Sequence, residues 1–116
     1  MCPSNPSKEF NHLFLEAVDE ALLILGDESV TKAFYYHLMK KGKIDRSEIP
    51  DKIGEFHRAL RALFNDGTII LEKRISKNLY RNLNLELREN KRWTLMDYVY
   101  DAKSRFESFV AASNTK

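Results

Sequence analysis

Three histidines, one cysteine and scattered carboxylate pairs are the side chains of this 116-residue chain with the chemistry to act on a substrate. His12, His37 and His57 fall on three separate apolar-periodic segments. No i, i+4 histidine pair and no second cysteine exist, so neither a zinc site nor a nucleophilic dyad has a spacing to build on. Glu16 with Glu20, and Asp97 with Asp101, stand one helical turn apart. Helices produce that spacing constantly, and it does acid–base work only inside a cleft. The glycines fit helix ends or turns, Gly54 excepted, and form no phosphate-cradling loop. The residues thus predict no catalytic, cofactor or metal site, and they name no reaction or ligand. His37, beside an apolar stripe, reads as a packed histidine; His12 and His57 read as surface residues.

Binding is better represented than catalysis. Tyr35 and Tyr36 flank the stripe of one amphipathic segment, and Met96 and Tyr100 flank that of another. These four form a candidate surface for a protein partner or a second copy, because tyrosine joins an apolar body to a polar tip. The net charge is only +2, yet residues 51–93 carry ten basic and six acidic side chains. Within that excess His57, Arg58, Arg61, Lys73, Arg74 and Lys77 make a candidate DNA face. Solvated helix faces carry such imbalances routinely, so nucleic acid is the less favoured partner. The longest apolar run, Ala21 to Leu25, is far too short to cross a membrane, and no basic-then-apolar signal opens the chain. With Cys2 as the lone cysteine, a cytoplasmic location is the expectation, and no small-molecule substrate is implied.

The length suits one domain, read as a flexible lead over 1–7, a helical body over 8–112 and a frayed tail over 113–116. Ser7 is placed to cap a first helix whose Phe10, Leu13, Phe14, Ala17, Val18, Ala21, Ile24 and Leu25 recur at three- and four-residue steps until Gly26. Asp27 or Ser29 caps a second, carried by Val30, Ala33, Phe34, His37 and Leu38; Gly42 closes it in the left-handed conformation. Pro50 disfavours helical geometry at Ile49, so Ile44 to Pro50 reads as a connector pinned by its two isoleucines. Pro50 and Asp51 then start a third helix through Ile53, Phe56, Leu60, Leu63 and Phe64 to the Asn65-Asp66-Gly67 break. Thr68 caps a fourth, where the line Leu71, Ile75, Leu79, Leu83 outweighs the strand-like Thr68-Ile69-Ile70-Leu71. Residues 84–93 read as a short extended arm or hairpin. Thr94, with Asp97 three residues on, opens a last helix through Leu95, Val99, Ala102, Phe106, Phe109 and Val110. The prediction is an all-α, five-helix single domain, with Leu22, Phe34, Leu60, Leu63, Ile75, Leu79, Val99 and Phe106 in its core.

Two resemblances follow from these residues. The succession Tyr36-His37-Leu38, Ile44, Ile49-Pro50, Glu55-Phe56, Leu60, Leu63-Phe64, Asp66-Gly67, Leu71-Glu72-Lys73, Ile75, Leu79-Tyr80, Leu83, Trp93-Thr94-Leu95 and Asp97-Tyr98-Val99 resembles a small archaeal family, the Nitrosopumilus output domain. The likeness runs from about Phe14 to Lys103, although family members carry an extra residue near Asp66-Gly67. It implies an archaeal signal-output role and brings no catalytic residues. The stretch from the second helix to Arg74 is also similar to a winged helix-turn-helix, in which His57, Arg58 and Arg61 would face DNA. The expectation is a non-enzymatic regulatory or protein-interaction module, with a winged helix-turn-helix DNA-binding regulator as the alternative. Helix or strand over 68–83 separates the two.

Overall fold

The structure is a computed structural model that describes residues 6–114, with side chains described for 8–111. Five α-helices follow in order: α1 Pro6–Leu25, α2 Glu28–Gly42, α3 Ile53–Phe64, α4 Gly67–Asn82 and α5 Leu95–Asn114. A 3-10 turn, Arg46–Asp51, joins α2 to α3. No strand occurs among the described residues, so the fold is all-α. The first five residues and the last two of the predicted lead and tail lie outside the described residues. Pro6 and Ser7, read as part of the lead, and Ser113 and Asn114, read as part of the tail, belong to helices.

α1 and α4 form the central antiparallel pair. Ala17 and Ala21 are buried and small where the two helices meet, which allows close approach. Asn78 uses that approach: its Nδ2 donates to the Ala17 carbonyl at 3.2 Å, so a buried amide is satisfied by the facing backbone. One turn along, Asn82 Nδ2 donates to Glu20 Oε1 at 3.1 Å and Arg81 pairs with Glu20 at 2.6 Å. α5 covers the pair, with Phe106 against Phe10 and the Tyr80 hydroxyl donating to Asp101 Oδ2 at 2.6 Å. α2 and α3 close the other side, where Phe34 meets the Phe56 and Phe64 rings.

Several boundaries depart from the sequence reading, each for a local reason. Residues 68–83 are helical through Asn82; Thr68 is not a cap but a buried residue of the first turn, its hydroxyl donating to the Leu60 carbonyl at 3.0 Å. Pro50 does not exclude helical geometry from Ile49. A 3-10 turn accommodates both, started by a reciprocal cap in which Asp45 accepts from the Ser47 N–H and Glu48 accepts from the Asp45 N–H. α3 accordingly starts at Ile53, not at Pro50. The left-handed residue ending α2 is Lys43, φ 57°, and not Gly42. α4 ends with Asn84 at φ 59°, the Leu85 N–H reaching the Tyr80 carbonyl and the Asn84 N–H the Arg81 carbonyl. Asp27 caps α2, and Thr94 precedes α5 with its N–H bonded to Asp97 Oδ2 at 2.8 Å, both as predicted.

The core contains Leu22, Phe34, Leu60, Ile75, Leu79, Val99 and Phe106, while Leu63 is only half-buried. Val30, Ala33, Ile24, Leu25 and Phe109, assigned to buried stripes, are exposed. Three-four spacing identifies a face, but it does not say where the neighbouring helix stops covering it.

Candidate functional site

The largest cleft described here, about 470 Å³, lies between α3, α4, the turn at residues 90–94 and the start of α5. Its floor is a part-buried polar pair: His57 Nδ1, from α3, meets Glu72 Oε2, from α4. His57 was read as a surface residue; the crossing of α3 over α4 encloses it instead. Burial pushes the Glu72 carboxyl above the ordinary carboxylate range, against the opposing pull of His57 and Arg61. Around the pair stand Arg61 from α3, Lys73 from α4, and Lys91 and Arg92 from the turn.

Tyr98 holds that turn in place. Its hydroxyl accepts the Asn90 N–H at 2.9 Å and donates to the Asn90 carbonyl at 3.0 Å, while Asn90 Oδ1 accepts the Arg92 N–H at 2.9 Å. The Trp93 ring then rests edge-on against Tyr98, centroids 5.2 Å apart at 73°, and remains partly exposed at the cleft.

The predicted DNA face divides. His57, Arg61 and Lys73 converge in the cleft. Arg58 faces a separate groove of about 350 Å³ between α2 and α3, shared with His37, Lys41 and Glu55. Arg74 borders an apolar hollow, and Lys77 is exposed on α4. The strand that would form a wing is absent, since Gly67–Asn82 is helix. Glu72, Asn90, Lys91, Arg92 and Trp93 were missed as members of one site. Their signal was a charged turn directly before the chain's single tryptophan.

The predicted partner surface divides as well. Tyr35 is half-buried within its own chain: its hydroxyl donates to Asp19 Oδ1, Arg46 pairs with the same carboxylate at 2.6 Å, and burial raises the phenol's pKa. Tyr36, 61% exposed, and Tyr100, 80% exposed, face solvent from α2 and α5, which both flank α3. Met96 is exposed with its sulfur close to Gly54. His37, read as packed, is exposed, and His12 makes an exposed pair with Glu16.

A third feature is apolar. The last turn of α1 exposes Ile24 and Leu25, and the first turn of the antiparallel α4 exposes Ile70 beside them, whereas the exposed Leu23 and Ile69 open on other grooves, Ile69 on the cleft above. Four successive apolar residues, Leu22 to Leu25, wrap around a helix, so only Leu22 reaches the core. Between the two turns lies a hollow of about 230 Å³, floored by Ala21 and Leu71 and walled by Ile24, Leu25, Phe64 and Ile70. Among the described residues no group of three or more His, Cys, Asp or Glu is placed to hold a metal, and no helix is long and apolar enough to cross a membrane. Comparison of the chain with family models, with curated proteins and with solved structures finds no match.

Proposed function

We propose that the protein is a non-enzymatic regulatory module that works through protein–protein contact, its docking surface being the aliphatic end of the α1–α4 pair and its occupant a second copy of the chain. The observation that carries this reading is the juxtaposition of protrusion and hollow. Ile70, 75% exposed, and Ile24, 62% exposed, stand at the rim of an apolar hollow on the same surface. A two-fold contact needs one surface to be complementary to itself, so a knob beside a hole of similar chemistry meets the requirement. Exposed contiguous aliphatic side chains are unfavourable in water, and their mutual burial would supply the driving force. The likeness to the archaeal output domain supports the regulatory part of the reading, since such a role calls for docking without chemistry.

Sedimentation velocity tests it. The wild type is expected to dimerise in the micromolar range, and Ile24→Glu with Ile70→Glu to give a folded monomer with an unchanged circular dichroism spectrum. Replacing Tyr36 and Tyr100 with glutamate leaves the dimer intact, because neither lines the hollow. A wild type that stays monomeric at high micromolar concentration would sink the proposal.

A further inference from the structure

We infer that the cleft floored by His57 and Glu72 binds a phosphate-bearing ligand of mononucleotide size. Arg61, Lys73, Lys91 and Arg92 line one concave space, and among the described residues none of the four stands within ion-pair distance of a carboxylate. Elsewhere four cations do pair, Arg46 with Asp19, Lys52 with Glu48, Arg81 with Glu20 and Arg105 with Asp101. Among the described residues Arg58, Arg74 and Lys77 also lack a carboxylate at ion-pair distance, so it is the convergence of four cations on one cleft that marks the site. Glu72, the carboxylate within the cleft, is turned onto His57; its charge reaches Arg61, but it leaves Lys73, Lys91 and Arg92 without a carboxylate at ion-pair distance. Four convergent cations repel one another, and an entering anion removes that repulsion.

The choice of phosphate rests on the donors. Two guanidinium groups offer planar forks and two lysines offer point charges, the combination that suits a group with several charged oxygens. A ring is inferred from Trp93, a partly exposed indole steadied by Tyr98, because an aromatic face beside cations is how bases are held without sequence reading. Asn90 Oδ1 is occupied by the Arg92 N–H, which leaves the Asn90 amide nitrogen to donate to ligand. The volume, about 470 Å³, lies within the range of roughly 300–1,000 Å³ usual for small-molecule sites. No residue lines both this cleft and the apolar hollow, so the inference stands apart from the dimer.

Trp93 is the only tryptophan in the chain, so intrinsic fluorescence reports on the cleft directly. The full chain is titrated at low salt with ATP, with inorganic pyrophosphate, with adenosine and with a short DNA duplex. ATP is expected to give a saturable change, pyrophosphate to compete more weakly, and adenosine to bind least. The double variant Lys91→Ala, Arg92→Ala, altered only at exposed positions of the turn, should weaken ATP at least tenfold. Lys77→Ala, exposed elsewhere on α4, and Ile70→Glu should leave it unchanged. The inference is overturned by any of four results: no saturable change with millimolar ATP, adenosine binding as tightly as ATP, equal weakening by Lys77→Ala, or duplex DNA binding more tightly than ATP.

Discussion

Glu72 shows how much a single position depends on an element distant in sequence. It lies on the inner side of α4 and meets His57 fifteen residues earlier, a contact set by the crossing of α3 and α4 and by no local pattern. Its carboxyl is raised above 4.5 chiefly by burial. A raised folded-state value means the folded protein holds that proton more tightly than the unfolded chain. The associated stability is therefore complete below the ordinary range and lost as pH rises through the raised value. Glu72→Gln keeps a polar group facing His57 and removes the ionisation, so the decline in urea midpoint from about pH 4.5 towards neutrality should be shallower in the variant. Superimposable pH profiles for wild type and variant would show that Glu72 contributes no such slope. The cleft was half legible for the same reason. His57, Arg61 and Lys73 were grouped from the basic excess of the middle stretch, whereas Lys91, Arg92 and Trp93 enter only because Tyr98 folds the turn back.

At the scale of the element, apolar spacing located all five helices, and the errors gathered at their ends. Termini are decided by one or two residues whose competing conformations differ little in free energy. Glycine is the residue that best tolerates the left-handed region, which made Gly42 the natural end of α2. The chain passes through Gly42 and turns at Lys43, φ 57°, so that Ile44 can enter the core. The lysine is held where its Cβ crowds the following carbonyl. Lys43→Gly should accordingly raise stability by up to about 1 kcal/mol, after allowance for the greater freedom of glycine in the unfolded chain. Equilibrium urea unfolding measures it, and a fall in the midpoint would mean that the lysine side chain contributes more than its backbone strain removes. Asn84 needs no such correction, because asparagine visits this region more readily and closes α4 with two backbone hydrogen bonds.

Over the whole molecule, α4 packs on three of the other four helices, α1, α3 and α5, and its Leu79 and Ile75 are fully buried. The all-α class was legible because each stripe is long, and the antiparallel α1–α4 pairing was not, because Asn78 and Asn82 look like ordinary polar positions until they meet the Ala17 and Leu13 carbonyls. That packing has an energetic consequence. A cavity at Leu79 removes contacts in the interior that joins several helices, whereas a cavity at the half-buried Leu63 can be relieved by water and by movement of a surface turn. Leu79→Ala should destabilise by about 2–5 kcal/mol, and Leu63→Ala by less than half as much. Because α4 is common to the α1, α3 and α5 contacts, the Leu79→Ala protein should still unfold in one transition, with fluorescence from Trp93 and far-ultraviolet dichroism giving the same midpoint. Separate midpoints for the two probes would mean that the turn carrying Trp93 unfolds apart from the helices, and that α4 does not bind the molecule into one cooperative unit.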